Sequence, residues 1–227
     1  MSPIGVFLDW FLYFYLFDWL ALAVFLAGLI GYRFFLSLML KKRPDNLFLG
    51  KLQQYRKAWI ESHSGDKNSI VVVQTLRNTI MSASFMASTS AILIMGAFNR
   101  LYTIGAAEKG STLSAAGPSE PSVEVFKILL IIIILSYSFF NFTWYIREIN
   151  YMSFILNIPK AQLDRIEGGD STSHIAGMFL TSGIYFSMGM RGYYFLIPLM
   201  LWFFSPLLMI LSSLLIFFVL IRRDLAA

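Results

Sequence analysis

Four long runs of apolar residues, separated by more polar stretches, occupy most of the chain. About 20 consecutive apolar residues suffice to cross a bilayer as a helix, and a backbone in lipid must satisfy its hydrogen bonds within its own segment. The pattern therefore predicts an all-α integral membrane helical bundle in a single domain over residues 1–227. Its four transmembrane helices are predicted at residues 19–40, 79–98, 125–146 and 193–221.

The polar stretches between the runs predict two further helices on the cytoplasmic side, in residues 41–70 and 147–190. In the first, apolar side chains recur at helical spacing and form one stripe, at Phe48, Leu52, Tyr55 and Trp59. This amphipathic helix either lies on the membrane surface or packs against the underside of the bundle. In the second, residues 171–188 are apolar but too few for a span. We expect an interfacial helix there that turns at residues 189–192 into the last span.

The ends of the predicted spans carry two further signals. Residues 99–122 are rich in Gly, Ser, Ala and Pro, which predicts an outer loop without regular structure. Asp18 stands just before the first apolar run, and an acidic residue is favoured at a helix N-terminus. We therefore expect Asp18 to cap the first span.

Basic residues are distributed unequally between the connections. Most lie in residues 41–70 and 147–190, and the positive-inside rule places such connections in the cytoplasm. This predicts a multi-pass protein of the cell (inner) membrane with both termini on the non-cytoplasmic side, although Arg222 and Arg223 after the last run oppose it. The net charge of +5 follows from this bias and needs no nucleic acid partner.

The composition argues against several kinds of chemistry. There are no cysteines and only two histidines, His63 and His174, both outside the predicted spans. Thiolate metal sites, disulfides and histidine-rich metal sites therefore lack ligands, and we expect neither metal nor cofactor. Proton-transfer catalysis needs an acid or base in a pocket, and the spans offer no such pair. We expect the protein not to be an enzyme.

Three arginines fall near the predicted cytoplasmic ends of different spans. They are Arg77, Arg147 and Arg191, with Asn150 and Tyr194 close by in sequence. Guanidinium groups bind phosphate in a bidentate manner, so these five residues form a candidate site for a lipid head group or a small anionic ligand. The alternative is that each arginine extends to the interface, pairs with an acid or caps carbonyls.

Other residues of the spans indicate helix packing. Ala83, Ala87 and Ala91 recur every four positions in the second run, and small residues let two helix backbones approach closely in a membrane. A helix that lines a polar path is the alternative. Trp144 lies on one face with Arg147, and Pro198 and Trp202 share a stripe with Arg191. Pro198 and Pro206 should kink this helix or open its backbone hydrogen bonds.

Four stretches in order along the chain resemble the membrane family catalogued as domain of unknown function 599. The resemblance covers nearly everything after the first apolar run, with Ser205 where we would expect glycine. It implies a four-span bundle and brings no activity. The matching residues are Tyr55-Arg56-x-x-Trp59-Ile60, Arg77-Asn78-Thr79-Ile80-Met81-x-Ala83-Ser84, Phe140-Asn141-Phe142-x-Trp144-x-Ile146-Arg147-x-x-Asn150-Tyr151, and Gly189-x-Arg191-x-Tyr193-Tyr194-Phe195-x-x-Pro198-Leu199-x-Leu201-Trp202-x-x-x-Pro206.

Two functional hypotheses follow. The first is a non-enzymatic membrane subunit that binds membrane lipids and either forms a homo-oligomer or docks on a larger membrane complex; small residues in the second run favour it. The second is a channel or carrier for a small anion or a lipid-like solute. The arginines and the prolines of the last run favour this alternative.

Overall fold

A computed structural model of the chain describes residues 3–42, 48–63, 70–110, 121–169 and 171–225. All regular structure in these ranges is α-helical, in seven helices. They are α1 (Pro3–Lys42), α2 (Phe48–His63), α3 (Ile70–Gly110), α4 (Pro121–Ile155), α5 (Lys160–Glu167), α6 (Ser171–Leu201) and α7 (Pro206–Leu225).

Four of the described helices are long and apolar enough to cross a membrane. The apolar stretches are Leu16–Met39 in α1, Ile70–Ala106 in α3, Val123–Ile155 in α4 and Pro206–Leu225 in α7. Each exceeds or meets the roughly 20 residues that a span requires. The predicted all-α bundle with four helices that could span a membrane is thereby confirmed.

The predicted last span, residues 193–221, is not one helix. Helix α6 ends at Leu201, a turn follows, and α7 begins at Pro206. Ser205 explains the new start because its Oγ accepts a hydrogen bond from the Leu207 amide at 3.2 Å, as an N-cap residue does. Proline suits the first helical position, where its missing N–H costs nothing. Pro206 therefore begins a helix and does not kink one.

Helix α6 also differs from the predicted interfacial helix with a turn. It runs without a break through residues 189–192 and packs along α4. Its 31 residues measure about 46 Å at 1.5 Å per residue. Gly189 and Gly192 allow close packing on α4. A Cβ at position 189 would collide with Phe142, and one at position 192 would collide with Ser138. The glycines that suggested a turn therefore lie at a helix–helix contact.

The buried residues form two cores that meet on α6. The first is made by α2, α3, α4 and α6, with Ile60, Phe142 and Met152 fully enclosed. The second is made by α1, α6 and α7, with Leu199 and Met209 at its centre. Helix α3 packs mainly against α4, so most of its circumference faces outward.

Helix α2 packs against the bundle, mainly on α6, which decides between the two alternatives for this amphipathic helix. The predicted stripe is rotated, because Ile60 and Trp59 pack inward while Tyr55 is exposed. The predicted outer loop is also shorter, since α3 continues to Gly110 and α4 begins at Pro121. The rest of that loop lies outside the described residues.

Helices α1 and α7 run parallel to each other. Asp18 of α1 bonds to Trp202, just before α7, whereas Tyr32 bonds to Asp224 at the end of α7. The start of α1 and the end of α7 therefore lie at opposite ends of the bundle. The side of the membrane on which each terminus lies stays a prediction. Asp18 also lies inside α1 and does not cap it.

Candidate functional site

A buried ion pair joins α6 to the last turn of α7. Arg191 Nη2 donates to Asp224 Oδ2 at 3.2 Å, and both side chains are buried. Tyr32 of α1 donates its hydroxyl hydrogen to the same oxygen at 2.6 Å. The Arg191 guanidinium lies 5.4 Å from the centroid of the Tyr32 ring. Three helices thus contribute to one polar cluster in which each charge has a partner, as a buried charge requires.

A second buried ion pair joins α1 to α4, toward the opposite end of the bundle. Lys127 of α4 is 3.3 Å from Asp18 of α1. Asp18 also accepts a hydrogen bond from the Trp202 indole, and Lys127 donates to the Trp202 carbonyl oxygen at 3.2 Å. The Lys127 ammonium lies 4.8 Å from the Trp202 ring centroid. We call this end of the bundle the Asp18 end.

The opposite end of the bundle is rich in cations, and we call it the basic end. Arg222 and Arg223 lie there beside Asp224, and α2 brings Lys51, Arg56 and Lys57. Among the lysines and arginines that the structure describes, only Arg100, Lys109 and Lys127 lie toward the Asp18 end. The α6–α7 hairpin therefore moves Arg222 and Arg223 to the side where the other basic residues are.

The three arginines of the predicted anion site have different surroundings. Arg191 is buried and paired with Asp224. Arg147 is exposed on α4, where its Nε donates to the Tyr151 hydroxyl at 3.2 Å, and Arg77 is exposed on α3. Tyr194 accepts a hydrogen bond from Arg223 at 3.2 Å, whereas Asn150 is exposed on α4. The structure thus brings Tyr194 near Arg191, while Arg147 and Asn150 belong to an outward face of α4.

The predicted packing residues also have separate environments. Ala83 and Ala87 are buried in the first core, where α3 meets α4, and Ala91 is half-buried. Trp144 is about half exposed, and its ring centroid lies 5.6 Å from that of Tyr185. Pro198 and Trp202 are buried, with Trp202 in the second ion-pair cluster. Pro198 lies inside α6 without ending it.

Arg56 of α2 is a cation with few polar neighbours. Its guanidinium lies against the backbone of Gly183 and 5.6 Å from the Phe179 ring centroid, both on α6. Burial lowers the pKa of Arg56, and the Tyr145 hydroxyl has a smaller opposite effect. Arginine nonetheless stays protonated in proteins. Among the residues whose side chains the structure describes, no carboxylate pairs with Arg56.

The sequence pattern did not predict three residues of the polar clusters described above: Lys127, Asp224 and Arg56. Lys127 is a lone cation inside an apolar run, and such residues in a span ordinarily have a buried partner. The sequence therefore indicates that Lys127 has a partner, but it does not indicate which residue that partner is. Asp224 follows two arginines and so looks like part of a solvated end. Arg56 lies beside the predicted apolar stripe of α2, so the sequence pattern did not predict that it is half-buried.

The two buried ion pairs tie helices of the bundle together. Within the described ranges, no group of three or more His, Asp or Glu side chains could hold a metal ion. The buried carboxylates Asp18 and Asp224 are each paired with a cation.

Comparison with known proteins places the chain in one family. Residues 20–227 match the sequence profile described as Protein of unknown function, DUF599. The match begins at residue 20, inside α1, and covers all of the helices that follow. No curated protein and no solved structure matches the chain. The predicted resemblance is confirmed, and the chain belongs to the DUF599 family.

Proposed function

We propose that this protein is a non-enzymatic membrane subunit that forms a homo-oligomer through the outward face of α3. The proposal is supported by one row of positions on that helix, spaced alternately by three and four residues, all of them exposed. We call this row the outward seam. It consists of Val71, Gln74, Asn78, Met81, Phe85, Ser88, Ile92, Met95, Asn99 and Tyr102.

The spacing of the outward seam suits a helix partner. A repeat of 3.5 residues keeps one face in contact with a second helix in a left-handed pair. Gln74, Asn78, Ser88 and Asn99 place polar groups at four positions of this seam. Polar side chains that face lipid are unfavourable, whereas across a helix pair they can hydrogen-bond.

A second copy of the same chain fits this surface well. Copies in one membrane share their orientation, so a two-fold axis along the membrane normal brings identical faces together in parallel. The seam itself contains no charged residue, so identical seams meet without like-charge repulsion. Arg100, next to the seam, is already bonded to Glu124 of α4 at 2.6 Å. The alanines of α3, whose spacing in the sequence favoured association between subunits, pack inside the subunit instead.

Disulfide cross-linking tests the proposal directly, because the chain has no cysteine of its own. In native membranes, Phe85→Cys should give an oxidised dimer on a non-reducing gel, since paired seams bring equivalent Cα atoms to roughly 6 Å. Phe140→Cys on α4 is the matched control: Phe85 is 69% exposed and Phe140 is 56% exposed. Equal cross-linking of both variants, or none of Phe85→Cys, would contradict the proposal. Cross-links to a different chain would instead favour docking on a larger complex.

We further propose that the basic end faces the cytoplasm of a cell membrane. The distribution of lysines and arginines between the two ends supports this orientation. It places the start of α1 outside and the end of α7 inside.

The anion-carrier alternative has less support from the geometry. Its three arginines lie in separate environments, and Asp224 neutralises the only buried one. A transported anion would need that ion pair to open. Flux into proteoliposomes that falls in Arg191→Ala but is retained in the exposed variant Arg147→Ala would revive this alternative.

A further inference from the structure

Arg56 is a half-buried cation with no carboxylate partner among the residues that the structure describes, and this absence calls for an explanation. The side chain is half-buried between α2 and α6. By contrast, the buried cations Lys127 and Arg191 each have an aspartate within 3.3 Å. A guanidinium removed from water needs compensation from an anion or from hydrogen-bond acceptors. The Phe179 ring, with its centroid 5.6 Å away, and the Tyr145 hydroxyl supply only part of it.

The depth of Arg56 in the bundle indicates where the missing anion would come from. The guanidinium lies on Gly183, nineteen residues before Trp202 in the chain. That separation corresponds to about 28 Å of helix, close to the roughly 30 Å thickness of the hydrocarbon core. With Trp202 taken as one edge of the core, Arg56 falls at the opposite edge, which in the orientation proposed above is the cytoplasmic one. A guanidinium at that edge can reach the phosphate groups of the adjacent leaflet.

The surroundings of Arg56 also hold it in place. Trp59, one turn further along α2, stacks on the same Phe179 ring at 5.6 Å, and Ile60 is fully buried. The absence of a side chain at Gly183 leaves room for the guanidinium against α6. A guanidinium fixed in this way offers two parallel N–H donors, the geometry that binds phosphate in a bidentate manner.

We propose that Arg56, held between α2 and Gly183 of α6, is the anchor of a binding site for a phosphate group at the cytoplasmic face of the membrane, namely the phosphate of a phospholipid head group or a free phosphate ion. This site is separate from the outward seam of α3. It also differs from Arg77, Arg147 and Arg191, none of which combines burial with the lack of an acidic partner.

Thermal unfolding of the purified full chain in detergent tests the site. Three probes are titrated separately: phosphatidylglycerol, diacylglycerol without a phosphate, and inorganic phosphate. Because a ligand that binds only the folded state raises the melting temperature, we expect phosphatidylglycerol to raise it and diacylglycerol not to. Saturation by inorganic phosphate as well would identify a free anion as a ligand. An effect of phosphatidylglycerol alone would identify the lipid.

Variants assign the effect to Arg56. Arg56→Gln should weaken phosphatidylglycerol binding by at least about tenfold, since it removes a charge-assisted contact. Lys57→Gln is the matched control, because it removes the same charge from the next residue, which is exposed and pairs only loosely with Glu61 at 3.9 Å. That control should bind like the wild type.

Arg56→Lys covers the case in which Arg56→Gln does not fold, because it retains the charge but not the planar fork. It should bind several-fold more weakly than the wild type. Wild-type binding in either Arg56 variant would overturn the proposal. So would a wild-type protein that responds equally to phosphatidylglycerol and diacylglycerol, or to none of the three probes.

Discussion

Arg191 and Asp224, thirty-three residues apart in the chain, form a buried ion pair in which Nη2 and Oδ2 are 3.2 Å apart. The pair closes the hairpin between α6 and α7 at the end remote from its turn. Since Tyr32 donates to the same carboxylate oxygen, α1 is tied into the hairpin. The contact thus accounts for the parallel arrangement of α1 and α7.

We expect Asp224→Asn to destabilise the protein by about 3–5 kcal/mol, because it leaves the Arg191 charge buried without a counter-charge. Tyr32→Phe should cost only about 1 kcal/mol, the net value of one hydrogen bond. Chemical denaturation of the purified protein in detergent measures both. Arg222→Gln, an exposed neighbour on α7, serves as the control and should unfold like the wild type. Equal losses in Asp224→Asn and Arg222→Gln would contradict a buried pair.

The hairpin also predicts the sidedness of the chain. Single cysteines introduced at Thr103, Ile166 and Leu225, all exposed, can be labelled in intact cells with a membrane-impermeant maleimide. We expect labelling at position 103 and protection at positions 166 and 225, because α6 and α7 bring the end of α7 to the basic end. Labelling of position 225 from outside would restore the arrangement expected from four apolar runs alone.

A glycine contact predicts the effect of adding one methyl group to α6. In Gly183→Ala the new Cβ would collide with the Arg56 guanidinium, so this side chain should move away from α6 and the amides of α2 should exchange faster with solvent deuterium. Gly177→Ala is the matched control, since nothing lies within 4 Å of its Cβ position. That variant should be stabilised by up to about 1 kcal/mol through the higher helix propensity of alanine. Similar exchange in both variants would show that α2 does not depend on this contact.

Asp164 of α5 predicts a pH dependence at the start of α6. Its carboxylate accepts hydrogen bonds from the Ser171 amide at 3.1 Å and from the Ser171 hydroxyl at 2.5 Å. These bonds lower the pKa of Asp164 in the folded protein. A carboxyl group with a depressed folded-state pKa adds stability above its unfolded pKa of about 4, and that contribution is lost as the pH falls through the folded value.

We therefore expect Asp164→Asn to lower the melting temperature near pH 6, with the difference from the wild type shrinking as the pH falls below about 4. Melting curves of the two proteins across this range provide the measurement. Glu61→Gln removes an exposed carboxylate with one loose partner, Lys57 at 3.9 Å, and should show no such trend. A constant difference between wild type and Asp164→Asn would rule out the ionised carboxylate as its source.

The amino-acid sequence by itself determined the features that depend on local composition. Three predicted spans lie inside α1, α3 and α4, because hydrocarbon imposes a minimum run of apolar residues that can be counted along the chain. The amphipathic helix α2 and the excess of cations on one side are equally local properties. The family resemblance followed from ordered motifs and agrees with the match over residues 20–227.

The tertiary structure decided what depends on neighbouring helices. Residues 171–188 are by themselves too few for a span, yet they form one continuous helix with residues 189–201, and α4 covers one face of this helix. The same holds for the buried charges, since Asp18, Lys127, Arg191 and Asp224 find partners on other helices. The energy of a buried charge depends on which group lies a few ångströms away. Helix adjacency sets that distance, and no local periodicity encodes it.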